Sequence, residues 1–403
     1  MLSSWLARAF ASLRHRNYRI YFAGQLVSLT GMWMQSAAQS WLVYELTRSK
    51  VMLGIVGAAG ALPVLFFSTY GGLLADRVPR RRILVVTQVA SSALALTLGT
   101  LAVTGLLEVW HIVTLAVLLG AVNGFDMPAR NTFVVDLVDR RDLMNAIALN
   151  SSAFHGTRII GPAVAGLVMA AVGPGPCFIA NGLSYTAALL ALAALRLDAR
   201  AAPRSRRGGA AEGFRVVAQA PGLPVLFALT LVVGVFGWSY VVLLPAFATD
   251  VLRVGERGYG VLMAASGVGS VIGSLVVASV RDARHGRMVL SLAVGVFSPA
   301  VFAFASSTDF TVSLVLLGAT GMGMTAFFST ANTLIQTAVK DDVRGRVMGI
   351  YALTFGLMMP LGALEAGGIA HAIGAPATVR IGAAVCAAAG VFTYHHLRKL
   401  AAP

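Results

Sequence analysis

The chain has 403 residues, 57% hydrophobic and 12% charged, with a formal net charge of +15. Soluble domains carry about 25% charged residues, so a water-facing surface of ordinary composition is excluded. The apolar runs are continuous rather than alternating, which excludes a membrane β-barrel and predicts an all-α polytopic membrane protein. The Arg and Lys residues fall in short clusters between these runs, without aromatic interleaving. They read as topology signals, and nucleic acid is not an expected partner.

The basic tail, 1–17, has Arg8, Arg14 and Arg16 too early for a cleavable signal. Leu2, Trp5, Leu6, Ala9 and Leu13 recur at helical spacing, so residues 2–16 read as a short interfacial helix or as a plain basic tail. About twelve spans follow: 18–45, 51–75, 83–105, 111–136, 145–172, 175–195, 222–250, 257–280, 288–307, 310–339, 346–373 and 376–396. Span one carries Gln25, Ser28, Met32, Gln35 and Gln39 on one helical face, either a cavity lining or interhelical hydrogen-bonding groups. Trp33 lies deep enough to meet a ligand, and Trp41 nearer the interface. After span two, Asp76 and four arginines, Arg77, Arg80, Arg81 and Arg82, interrupt the apolar sequence. Gly71 and Gly72 before them are expected to allow close helix approach.

Span four carries Asn123, Asp126 and Arg130, with Pro128 bending the helix; span five carries Ser151, His155, Arg158 and Pro162 on one face. Asp126 is expected to pair with Arg158, as a switchable proton-coupling element or a permanent bridge, or with Arg130 inside its own helix. Residues 196–220, rich in Pro, Gly, Arg and Ala, read as a linker between halves 18–195 and 221–397, with a tail at 398–403. In span eight, Gly269 and Gly273 make a small-xxx-small contact face. Span ten has Thr325, Ser329, Asn332 and Gln336 on one face and no charge, with Asn332 and Gln336 as further cavity-lining candidates. Span eleven holds Glu365, a candidate proton site or an outer-rim carboxylate in water.

One side of the membrane receives all but six of the 31 Lys and Arg residues, so both termini are expected in the cytoplasm. The other side has Arg48, Lys50, Arg253, Arg257 and Arg380, and Arg158 lies inside a span. "NTFVVDLV" at 131–138 faces "NTLIQTAV" at 332–339, an internal repeat with an offset of about 200 residues.

"GGLLADRVPRRR" at 71–82 resembles the loop motif of the major facilitator superfamily, with Pro79 in place of its usual second Gly. "RIIGPAVAG" at 158–166 resembles the Gly-Pro motif of antiporter-type exporters, at Gly161, Pro162 and Gly166. Together with "RNYRIYFAGQLVSLTGMWMQ", "WLVYELTRS", "FDMPARNTFVVDLV" and "CFIANGLSYTAAL", these resemble the transmembrane secretion effector branch, which includes enterobactin-type siderophore exporters. The resemblance implies twelve helices in two pseudo-symmetric six-helix halves. It also implies a conformational latch formed by Gly72, Asp76, Arg77, Arg80 and Arg81, docking near Arg346 to Gly349; a topology anchor is the plainer reading. The span-four Arg of drug antiporters in that superfamily falls here at Gly120.

The expected function is export of a small organic compound (siderophore, drug or secondary metabolite) across a bacterial cytoplasmic membrane, as a proton antiporter and a monomer. An importer on the same fold and a non-transporting membrane sensor or assembly partner are the alternatives. Cys177 and Cys386 lie in apolar runs and read as inert. There is no Walker A, H-E-x-x-H or G-x-S-x-G sequence, so no cofactor, metal or enzymatic activity is expected.

Overall fold

The computed structural model describes residues 11–196, 210–279, 286–339 and 341–400. These are almost entirely helical, with no strand among them. A 3₁₀ turn, Ala11–Arg14, precedes α1 (Arg16–Thr47), α2 (Lys50–Ala75), α3 (Arg80–Val103), α4 (Val109–Phe133), α5 (Leu143–Val172) and α6 (Gly175–Ala194). Then come α7 (Ala210–Gln219), α8 (Leu223–Gly237), α9 (Ser239–Ala246), α10 (Gly255–Ser279), α11 (Gly286–Phe304), α12 (Phe310–Thr337), α13 (Asp341–Ile373) and α14 (Ala375–Leu400). The interfacial helix expected over residues 2–16 falls mostly outside the described residues, as does most of the expected linker. Ala210–Gln219 of that linker form the short helix α7, which packs on α13.

Among the described residues, eleven helical stretches are long and apolar enough to cross a bilayer. The 32-residue α1 has the length as well, and its polar face lowers its hydropathy. Span seven runs over Leu223–Val251 as one helical stretch: α8 and α9 meet at Trp238, which keeps a right-handed helical backbone at φ −81° and ψ −12°, and α9 passes into a π-helical turn, Phe247–Val251. The internal repeat shows in the backbone. Arg48 and Arg253, at the ends of the first and seventh spans, are the two non-glycine residues at positive φ among the described residues, 49° and 55°. Gly173 and Gly374, after spans five and eleven, share φ values of 82° and 85°. Four conformations that L-residues disfavour thus recur in pairs at an offset near 200.

The chain forms two compact units, Met1–Leu42 with Leu62–Ser205, and Val43–Ala61 with Arg206–Pro403. In the first, α3 packs against α4 and α6, and α5 against α6. Glycines set these distances: a Cβ at Gly99 would meet Ile179, and one at Gly182 would meet Leu96. A buried cluster including Tyr18, Tyr21, Ile83, Phe133, Leu137 and Leu192 fills one end of this unit. In the second unit, α12 lies against α10 and α11, and α8 against α13 and α14. Gly269 and Gly273 do form the expected contact face, against the α12 backbone at Gly318 and Met322. The Val43–Ala61 segment joins this unit through a Tyr44 hydroxyl bond to Asp250 and through Gly54, whose missing side chain admits Ala363 and Gly367.

One expectation is corrected. Gly71 and Gly72 were both expected to allow close approach, but only Gly71 does, with Phe125 Cα 2.8 Å from where its Cβ would stand. Nothing lies within 4 Å of the corresponding point at Gly72. Gly71→Ala should therefore lower the thermal midpoint of the purified protein, while Gly72→Ala should leave it unchanged.

The 3₁₀ turn is clasped to the start of α5. Ser12 Oγ donates to the Asp142 carbonyl at 3.0 Å and to Asn145 at 2.7 Å. Arg14 and His15 both reach Asp142 Oδ2, at 2.5 and 2.7 Å. The His15 hydrogen bond, with Arg14 adding to it, holds the Asp142 carboxyl below the usual carboxylate range despite opposing desolvation. Because the folded value is depressed, the stabilisation is complete above the unfolded value of about 3.9 and is lost as pH falls through the folded one. Asp142→Asn should lower the thermal midpoint at pH 7, and its gap to wild type should close below about pH 4.

Candidate functional site

The first unit contains a polar network inside apolar helices. Asp126 is buried on α4, two residues before Pro128, which lies inside the helix. Its Oδ2 accepts from Arg130 Nε at 2.8 Å, one turn on in the same helix. Its Oδ1 accepts from Thr87 Oγ1 at 2.7 Å and Gln88 Nε2 at 3.0 Å, both on α3. Arg130 Nη1 in turn donates to Gln25 Oε1 on α1. One carboxylate thus joins three helices, and both of its oxygens are occupied. The partner of Asp126 is Arg130. Arg158 stands elsewhere on α5, its guanidinium 5.5 Å from the centre of the Trp33 ring.

The polar face of α1 serves this network in part. Gln25, Ser28 and Gln35 are buried. Gln35 Oε1 accepts from Asn181 Nδ2 on α6 at 2.7 Å, so Gln25 and Gln35 both tie α1 to neighbouring helices. Gly31 lacks the side chain that would collide with Asn181 and Ser184. Gln39 and Asn123 are half-buried. Trp33 packs edge-on against Phe154, ring centres 5.3 Å apart, and its buried Nε1 has no acceptor. The backbone of His155 continues α5 beside them.

The Gly-Pro motif has a direct packing role. A Cβ at Gly161 would stand 2.5 Å from Trp33 Cβ and 2.9 Å from the Thr30 carbonyl, so glycine is what lets α5 lie on α1. Pro162 and Gly166 are buried beside it. The arginines of the loop motif hold helix ends together within the same unit. Arg80 Nη1 donates to both Asp136 carboxylate oxygens, at 3.0 and 2.9 Å, and to the Thr132 carbonyl. Arg81 donates to the Ala193 carbonyl at 3.1 Å. Asp76 and Arg77 are exposed.

In the second unit, Gln336 donates to Asn332 at 3.0 Å, along one face of α12. Glu365 on α13 is the contrast to Asp126. Both of its carboxylate oxygens are buried, and neither has a hydrogen-bond partner. The neighbouring turn of α13, at Gly362, meets the α8 backbone at Val235, near the end of that helix.

The sequence reasoning missed Thr87, Gln88 and Asn181. Their signal was present: polar pairs such as "TQ" at 87–88 are rare inside membrane helices and need a partner. No cluster of three or more metal-ligating side chains is found among the described residues.

Residues 7–402 match the family described as transmembrane secretion effector. The chain is 29% identical over 371 residues to the multidrug efflux pump Tap of Mycolicibacterium fortuitum, covering 89% of this chain and 90% of that one. It is 25% identical to the staphyloferrin A transporter of Staphylococcus aureus, over 86% and 87% of the two chains. Among solved structures, a bacterial homologue of the lysosomal transporter Spinster, inward-facing and unoccupied, superposes with a TM-score of 0.74 at 15% identity. That match covers 95% of this chain and 97% of the other. The nucleoside transporter NupG gives 0.74 at 12% identity, over 94% and 99%. The family and these relatives are transporters, not enzymes.

Breaking the Asp126 pair should be costly, because it leaves an uncompensated buried charge. Arg130→Met is expected to destabilise the protein by about 3–5 kcal/mol, measured as the thermal midpoint in detergent against wild type.

Proposed function

This chain belongs to the transmembrane secretion effector family, and on that footing we propose that it exports a small amphipathic or anionic organic compound in exchange for protons. The family match and the efflux and siderophore relatives support a multi-pass membrane transporter of this kind. The surplus of basic residues on one side supports cytoplasmic termini. Transport proceeds by alternating access. Asp76 acts as a latch in that cycle, on a loop stiffened by Arg80 and Arg81.

The observation that carries the coupling is the difference between the two intramembrane carboxylates. Asp126 has four polar contacts, including a cation, and acts as a fixed ion pair joining α1, α3 and α4. Glu365 has two buried oxygens and no partner. An ionised carboxylate so placed is poorly compensated, and a proton removes the charge. Glu365 is therefore the group that takes up and releases the proton, and its helix packs against α8.

The test compares a deletion strain with strains carrying wild type or Glu365→Gln, using mass spectrometry of medium and cytosol. Wild type should return an accumulated compound to the medium, and collapse of the proton gradient should stop it. Glu365→Gln should remove gradient-driven export while leaving the thermal midpoint equal or higher, since the neutral amide avoids the desolvation cost of the charge. Undiminished gradient-driven export by Glu365→Gln overturns the assignment.

A further inference from the structure

A cavity of about 230 Å³ opens among α8, α11 and α14, within the second unit. Its rim is basic, formed by Arg287 in the first turn of α11 and Arg398 near the end of α14, both exposed. Tyr394, one turn inward from Arg398, presents a half-exposed ring and hydroxyl. Below the rim the wall is mostly apolar, with Leu290 and Val294 from α11 and Leu229 from α8, interrupted by Ser291 and Thr393. Val294 lies seven residues beyond Arg287, so the apolar shaft runs about 10 Å inward from the rim along α11. Gly390 closes the floor. A Cβ there would stand 2.6 Å from Val294 Cγ1, so α11 and α14 meet because that position has no side chain.

The chemistry of this cavity is graded, with two guanidinium groups and a phenol above, and branched aliphatic side chains with two hydroxyls, of Ser291 and Thr393, beneath. Among the described residues no acidic side chain lines it. Arginine matches phosphate oxygens in geometry and is weakly hydrated, which suits a headgroup at a membrane surface. Basic pockets between membrane helices hold anionic lipid headgroups. A free phosphate would use the rim and leave the shaft without a function. We propose that this cavity binds an anionic phospholipid, with its phosphate between Arg287 and Arg398 and one acyl chain against Leu229, Leu290 and Val294. The bound lipid fastens α11 to α14 and stabilises the second unit. This assignment is independent of the exported compound and of Glu365.

The test uses the purified full chain in neutral detergent, with short-chain phosphatidylglycerol, short-chain phosphatidylcholine or inorganic phosphate added at equal concentration. Phosphatidylglycerol should raise the thermal midpoint of wild type, and the other two should not. The paired variant Arg287→Gln with Arg398→Gln should bind phosphatidylglycerol about tenfold or more weakly, read as the midpoint shift against lipid concentration and as lipid retained in native mass spectrometry. An equal shift with inorganic phosphate identifies a plain anion site and overturns the lipid assignment. An unchanged phosphatidylglycerol response in the paired variant overturns it as well. Should that variant be lost on purification, Val294→Trp, which fills the shaft and keeps both arginines, is the substitute: loss of the phosphatidylglycerol response supports the proposal, and an unchanged response refutes it.

Discussion

A charged side chain within hydrocarbon must bring its solvation with it, and in the first unit that requirement is met at Asp126. Thr87, Gln88 and Arg130 take the place of water around one carboxylate, and Gln25 extends the set to α1. Apolar contact alone gives membrane helices little reason to prefer one partner over another, because lipid tails are equally apolar. A polar group has no such freedom. The register of α1, α3 and α4 is therefore fixed by the few atoms that can complete the shell of Asp126, and Asn181 with Gln35 adds the corresponding constraint for α6. Glycines then set how near the backbones come: Gly31 and Gly161 along α1, Gly71 against α4. Polar bonds choose the partners, and missing side chains choose the distances.

The second unit follows a different rule. Its closest helix pair, α10 with α12, is built from Gly269, Gly273 and Gly321 against backbone, with serine hydroxyls bonded mostly to their own helices. Its intramembrane acid is left bare. The repeated backbone turns at Arg48 and Arg253, and at Gly173 and Gly374, mark the two halves as one architecture, yet their interiors have diverged in chemistry. One unit is cross-linked by compensated polarity. The other is smooth and holds an uncompensated group.

Much of this was legible from the chain. Span limits follow from apolar length, so α2, α4 and α10 begin within about two residues of the expected positions. The family followed from short loop and span motifs and is the one that residues 7–402 match. The pairing of Asp126 was open, because span four and span five both offered a cation. The one-turn spacing to Arg130 needs no tertiary arrangement, and that is the pair formed. Three features were not legible. Spacing places Gly71 and Gly72 side by side, but only a folded neighbour decides which one touches. The junction of α8 and α9 at Trp238 occurs in an uninterrupted apolar run with no proline at that point. That Glu365 lacks partners is a property of what surrounds it, and no residue count along α13 contains it.

The clasp at the first turn bears on biosynthesis. Ser12 finds the Asp142 carbonyl 130 residues downstream, and Arg14 and His15 meet the same residue's carboxylate. A chain leaving the ribosome at about 5–20 residues per second exposes its amino end for several seconds before that partner exists. During that interval four spans must enter the bilayer with the end of the chain untied. Closure of the clasp waits on the start of the fifth span, so residues 12–15 are secured only after four spans of their unit have been made.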